Sequence, residues 1–146
     1  MAETTTRVDF YVLRSAEPGA RLRFACRLAE KAYALEHQVY VHTASAAEAA
    51  ELDELLWTFR DGSFVPHELL GTTADEPASP VTIGCDRFPP GDCDLLINLA
   101  DAIPGEAGAF PRVAEVVTSD AECKSLSRQR FVDYRDQGHT LDTHNL

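Results

Sequence analysis

No apolar run in this sequence approaches the roughly 18–20 residues that span a bilayer, so no membrane-crossing helix is expected. The first residues, MAETTTRVDFYVL, lack a basic stretch followed by an apolar one. No secretory leader is therefore expected, and the cytoplasm is the expected compartment. Cysteine is sparse: Cys26, Cys85, Cys93 and Cys123 contain no C-x-x-C pair, and free thiols are expected over disulfides. Cys85 and Cys93 bracket CDRFPPGDC, which is not a zinc-ribbon spacing and would need two more ligands, so no metal is expected. The five histidines, His37, His42, His67, His139 and His144, form no H-E-x-x-H pattern and are expected in turns or on the surface. Positive charge is short as well. Thirteen Lys and Arg stand against 24 Asp and Glu, a net charge of −11. Such a field repels a phosphate backbone and argues against direct, non-specific nucleic-acid binding, a local basic patch excepted.

The signatures of catalysis are also missing. The first strand-to-helix turn, RSAEPGAR, has one glycine where a dinucleotide fingerprint needs three. There is no G-x-x-x-x-G-K-[ST] loop and no G-x-S-x-G elbow. Acidic residues are abundant, but solvated surface charge is their default. Asp94, which opens an apolar strand, is the least ordinary of them and is assigned a cap or turn role. No catalytic residue and no cofactor are expected.

What is present suits one domain. The chain has 146 residues, 45% of them hydrophobic, enough for a core. Residues 8–13 read as a strand, 20–36 as a helix rich in strong helix formers, and 39–43 as a second strand. Ser45 with Glu48 forms a capping-box pattern opening a helix that runs to about Trp57. Residues 72–80 read as a loop, 81–83 as a short strand, 94–99 as a strand buried on both faces, and 113–117 as another strand. A last helix spans about Asp120 to Gln137, with Gly138 ending it, and the tail HTLDTHNL follows. Strands alternating with helices predict a single α/β domain over 1–146. Its mostly parallel central sheet is flanked by helices, similar to nucleotide-binding, Rossmann-like folds without the phosphate-binding loop.

Two stretches invite a functional reading. LDELLWTFRDGSFVPHELLG, residues 52–71, holds the single Trp of the chain, Trp57, then a polar turn, then Phe64, Val65 and Pro66. Pro66 has no amide proton and is excluded from a central strand, which places Trp57 and Phe64 near an edge or the surface. That combination suits docking better than chemistry. On the last helix, at about 100° per residue, Lys124, Arg128, Phe131 and Arg135 fall within an arc of roughly 60°. A solvated basic face is the ordinary explanation for any one of them. As a stripe, three cations around a ring suit an acidic peptide with a hydrophobic anchor, because arginine forks onto carboxylates. Leu126 and Tyr134 point elsewhere and are expected to pack on the sheet.

These residues resemble the chi subunit family of bacterial DNA polymerase III, clamp-loader accessory proteins. The likeness runs from VDFYVL to GHTLDTHNL and is most specific in LDELLWTFRDGSFVPHELLG and in K-x-x-x-R-x-R-F-x-x-Y-R-x-x-G, Lys124 to Gly138. It implies a single α/β domain without catalytic activity that binds the acidic, Pro-Phe-ending C-terminal tail of single-stranded DNA-binding protein. It implies a tail pocket at positions matching Lys124, Arg128 and Phe131. It also implies a second surface, at Trp57, Phe64, Val65 and Pro66, for the psi subunit or in its place a helicase. The family often has Tyr where Phe131 stands and a Lys at the position of Val132, so a hydroxyl and a cation are absent here and a lower tail affinity is expected. The leading expectation is thus a replication adaptor. The alternatives are a helicase-associated DNA repair adaptor using the Trp57–Pro66 surface and, more remotely, a nucleotide-dependent enzyme on the same scaffold.

Overall fold

The computed structural model describes residues 6–17, 19–59, 65–69, 80–85, 93–100, 102–104, 107 and 110–145. In chain order these form β1 (Arg7–Val12), α1 (Ala20–Ala34), β2 (Val39–His42), α2 (Ala46–Thr58) and β3 (His67–Leu69), then β4 (Val81–Gly84), β5 (Leu95–Asn98), β6 (Arg112–Val117), α3 (Ala121–Asp136) and β7 (Thr140–Asn145). The strands make one seven-stranded sheet in the order β3-β4-β2-β5-β6-β1-β7, and every described pairing is parallel. The α/β fold with a parallel central sheet is as the sequence predicts.

Local chemistry explains the element boundaries. Ser45 caps α2 through its Oγ, which accepts the Glu48 amide at 3.1 Å, while the Glu48 carboxylate accepts the Ala44 amide at 3.1 Å. This is a capping box displaced by one residue at its return bond. Asp120 caps α3 by accepting the Cys123 amide at 3.0 Å. Gly138, at φ 86°, ends α3: its amide donates to Arg135 and that of His139 to Tyr134, the paired bonds of a Schellman motif. Asp94 neither caps a helix nor closes a local turn: its carboxylate accepts the Gln38 amide at 2.8 Å and its own amide donates to the Gln38 carbonyl, tying the start of β5 to that of β2.

Two cores lie on opposite faces of the sheet. One joins α1 and α2 to the sheet through Cys26, Ala29, Leu52, Leu56, Val41, Ile83, Ile97 and Val116. The other sits beneath α3 and contains Val8, Phe10, Tyr40, Leu96, Phe110, Val113 and Tyr134. All four residues of β5 are buried, as a strand covered on both faces requires. Burial of each such aliphatic side chain contributes roughly 1.5–3 kcal/mol.

The structure departs from the sequence reading in several places. The tail is not a simple appendage: Thr140–Asn145 is edge strand β7, paired with β1 along its length. The three residues after Pro66 form edge strand β3, paired with β4. His67, expected in a turn or on the surface, is buried, because its ring bridges α2 and the segment before β3. Leu126, expected to pack on the sheet, is only half-buried, whereas Tyr134 is fully buried. The four cysteines form no disulfide with one another, and burial pushes the Cys26 thiol pKa up to about 12, which keeps it unreactive.

Candidate functional site

The stripe on α3 faces an open pocket of about 240 Å³. Its lining is Phe10 and Val12 of β1, Val117 of β6, Thr143 of β7, and Lys124, Ser127, Arg128 and Phe131 of α3. Three of the four residues singled out on the last helix therefore meet in one depression. Lys124 and Arg128 are exposed, one turn apart, and Phe131 is half-buried beside them. The Phe131 ring packs at 5.3 Å from that of Phe10, which in turn meets Tyr134 edge-on at 6.0 Å. The pocket thus has an apolar aromatic base and a cationic rim. Arg135 does not line it. That side chain is largely exposed and lies 3.9 Å from Asp136, too loose an exposed pair to contribute much stability.

The rim is held from below by a buried polar network. The Glu115 carboxylate, fully buried in β6, accepts hydrogen bonds from Arg130 Nε at 3.0 Å, Tyr134 Oη at 2.6 Å and Asn98 Nδ2 at 2.8 Å. Burial raises the Glu115 pKa, and the Arg130 charge and the three donors pull it back. The Tyr134 hydroxyl is also raised, by burial and then by the carboxylate beside it. Arg130 and Tyr134 stand one turn apart on α3, so this carboxylate fixes the rotation of the helix that presents Lys124, Arg128 and Phe131. Sequence reasoning missed the network. Its signal was an acid inside the otherwise apolar strand V-A-E-V-V, opposite R-x-x-x-Y on the next helix.

On the other face, β1 and β7 are clamped by Asp9, which is buried although its neighbours are half-exposed. Arg112 Nη2 lies 3.2 Å and Arg7 Nε 3.3 Å from its carboxylate, and His144 Nε2 of β7 lies 3.0 Å away. His144 also stacks on Tyr11 at 4.9 Å. Burial acts to raise the Asp9 pKa, but the hydrogen bonds from His144 and Arg112 and the charges of Arg112 and Arg7 hold it below the ordinary carboxylate value.

The second expected surface is partly in view. Trp57, at the end of α2, is 55% exposed. Its ring lies 4.6 Å from that of His67, whose nitrogens stand 2.6 Å from the Val65 carbonyl and 3.0 Å from that of Asp53. Trp57 therefore rests on a ring that is itself hydrogen-bonded at both nitrogens. Val65 is 1% exposed and belongs to the α1/α2 core, so it anchors this segment and does not itself offer a contact. Its expected place on the docking surface is corrected on that ground. Pro66 is half-buried, and Phe64 lies outside the described residues.

The family model "DNA polymerase III chi subunit, HolC" matches residues 5–142. The chain belongs to the DNA polymerase III chi subunit family. Among its relatives, the DNA polymerase III subunit chi of Pseudomonas aeruginosa is 47% identical over 141 residues, covering 97% of each chain. That of Haemophilus influenzae is 33% identical, covering 100% of this chain and 99% of the relative, and that of Escherichia coli is 30% identical, covering 83% and 82%. Membership of the chi family makes the chain a replication accessory subunit. Among solved structures, the crystal structure of T4 UvsW superposes with a TM-score of 0.70 at 8% identity. The match covers all of this chain and 42% of that one, and it is a likeness of fold alone. Among the described residues, no helix of this chi-family chain is long and apolar enough to cross a membrane.

Proposed function

We propose that this chain is a non-catalytic adaptor that bridges the clamp-loader complex of DNA polymerase III to the acidic C-terminal tail of single-stranded DNA-binding protein. The observation that carries this reading is the pocket beneath α3, where Lys124 and Arg128 rim an apolar base of Phe10, Val12 and Phe131. An apolar terminal side chain fits the base, and its carboxylate and the acids before it meet the cations. Arg135, one turn beyond Phe131, acts as an outlying cation that meets the tail outside the pocket.

The test is titration of a fluorescent peptide ending in Asp-Asp-Asp-Ile-Pro-Phe. Salt-sensitive binding is expected. Arg128→Ala should cost about 1–2 kcal/mol, roughly five- to thirtyfold in affinity, because the charge-assisted bond it makes is exposed to solvent. Binding that ignores salt and Arg128→Ala overturns the reading.

Trp57 supports a second contact on the opposite flank of the molecule, for the psi subunit or a helicase. Pull-down from the host with Trp57→Ala and Phe64→Ala as controls separates the two: loss of a helicase with clamp-loader proteins retained favours the helicase-associated repair role. A nucleotide-dependent enzyme is disfavoured by the glycine-poor turn after β1, and thermal shifts with nucleotides test it.

A further inference from the structure

Val12 and Leu13 are neighbours in sequence but face opposite sides of the sheet: Val12 packs with the core beneath α3, and Leu13 with the core under α1 and α2. Val12 lines the pocket already described. Leu13 lines a second depression, of about 410 Å³, at the same end of β1. Its floor includes Leu13, Ala20 and Phe24, and it is edged by Arg14, Arg23 and Arg27. Arg23 and Arg27 stand one turn apart on α1, and all three arginines are exposed. Like charges at that spacing repel, so the cluster is not there to stabilise the helix. The acid at this groove is Glu17, 3.8 Å from Arg23, and both side chains are largely exposed, which makes the pair weak. Arg21 on the same helix is used differently: it donates to the carbonyls of Leu99 and Val116 and ties α1 to the sheet.

We propose that this arginine groove holds the acidic stretch of the same peptide whose apolar end occupies the pocket beneath α3. The proposal rests on the tail reading of that pocket. Two features select an acidic peptide. The groove is a patch of three arginines on a chain of net charge −11, complementary to a run of carboxylates. Its lining also begins at Leu13, the residue after Val12 of the first pocket, and includes Ser15, whose carbonyl accepts the Ser119 amide and joins the loops after β1 and β6. One sheet layer separates the two depressions, roughly 10–20 Å, which about three to six extended residues span. A single nucleic-acid strand suits the groove less well. Its one ring, Phe24, is half-buried and packed 5.2 Å from Tyr11, so no free aromatic face is offered to a base.

Two fluorescent peptides test this on the full chain: the six-residue Asp-Asp-Asp-Ile-Pro-Phe, and the same sequence extended at its N-terminus by six residues, four of them acidic. The longer peptide should bind about five- to tenfold more tightly at moderate salt. Arg23→Glu/Arg27→Glu should abolish that advantage and leave the shorter peptide unaffected, and Arg23→Gln/Arg27→Gln should do so partially. Equal affinities in the unaltered protein, or a variant that weakens both peptides alike, overturn the groove while leaving the pocket standing. Failure of the shorter peptide to bind overturns the function proposed for the pocket, and this extension with it. If the arginine variants instead abolish binding of oligothymidine and preserve the longer peptide's advantage, the groove serves nucleic acid and the proposal is overturned.

Discussion

Glu115 and Arg130 form a buried ion pair whose worth lies in what it prevents. Removing Arg130 strips the buried Glu115 carboxylate of its counter-charge, so Arg130→Met should destabilise the fold by about 3–5 kcal/mol. The double variant Glu115→Leu/Arg130→Met should recover much of that loss, because neither charge then remains. Urea denaturation of the two variants checks the pattern, and equal destabilisation would contradict it. Asp9 works with the opposite sign from a carboxyl whose pKa is raised. Its folded-state pKa is depressed, so the stability it contributes is present above its unfolded value of about 3.9 and is lost as pH falls through the folded value. Thermal melts across pH 2–6 should show a steeper acid decline in the native protein than in Asp9→Asn. The residues at stake lie on β1, β6 and β7, so the loss should begin where β7 meets β1.

At the scale of elements, helix ends are where sequence chemistry is most explicit. Gly138 sits at φ 86° with open space where a Cβ would be. Gly138→Ala should therefore cost about 1 kcal/mol through the left-handed backbone alone, without a clash. A denaturation midpoint shift of that size checks it, and no shift would show that the end of α3 relaxes to another conformation. The same explicit signals made α2 and α3 legible in the sequence, through Ser45 with Glu48 and Asp120 with Gly138. Periodicity and composition gave β1, α1 and the buried β5. The edges were not legible, for a physical reason. β7 is polar and mostly exposed, and its strand character comes from pairing with β1, not from its own residues. β3 has three residues and follows a proline. Of the α3 stripe, the shared face of Lys124, Arg128 and Phe131 follows from helical spacing, but the pocket beneath it needs Phe10, Val12, Val117 and Thr143 from three strands. No local pattern brings those together, nor Glu115 to Arg130, nor Val65 into the core.

For the whole molecule, a net charge of −11 and a few basic sites must be weighed together. Several cations are already committed inside the fold: Arg130 to Glu115, Arg112 to Asp9, Arg7 to Asp9 and Asp142, and Arg21 to backbone carbonyls. The exposed clusters that stand out are the pair above the pocket and the three at the end of β1. On the function proposed above, each would meet a short run of carboxylates on a peptide whose apolar anchor adds to the attraction in the pocket beneath α3. A bare phosphate backbone has no such anchor and must approach through the field of the surplus acids, with only a few contacts to release its counterions. Naked single-stranded DNA should therefore bind weakly or not at all at physiological salt. Anisotropy of a labelled oligothymidine against increasing protein should stay flat under those conditions. A tight, salt-steep isotherm would mean that the local basic clusters dominate the field of the whole molecule and that the chain reaches DNA directly.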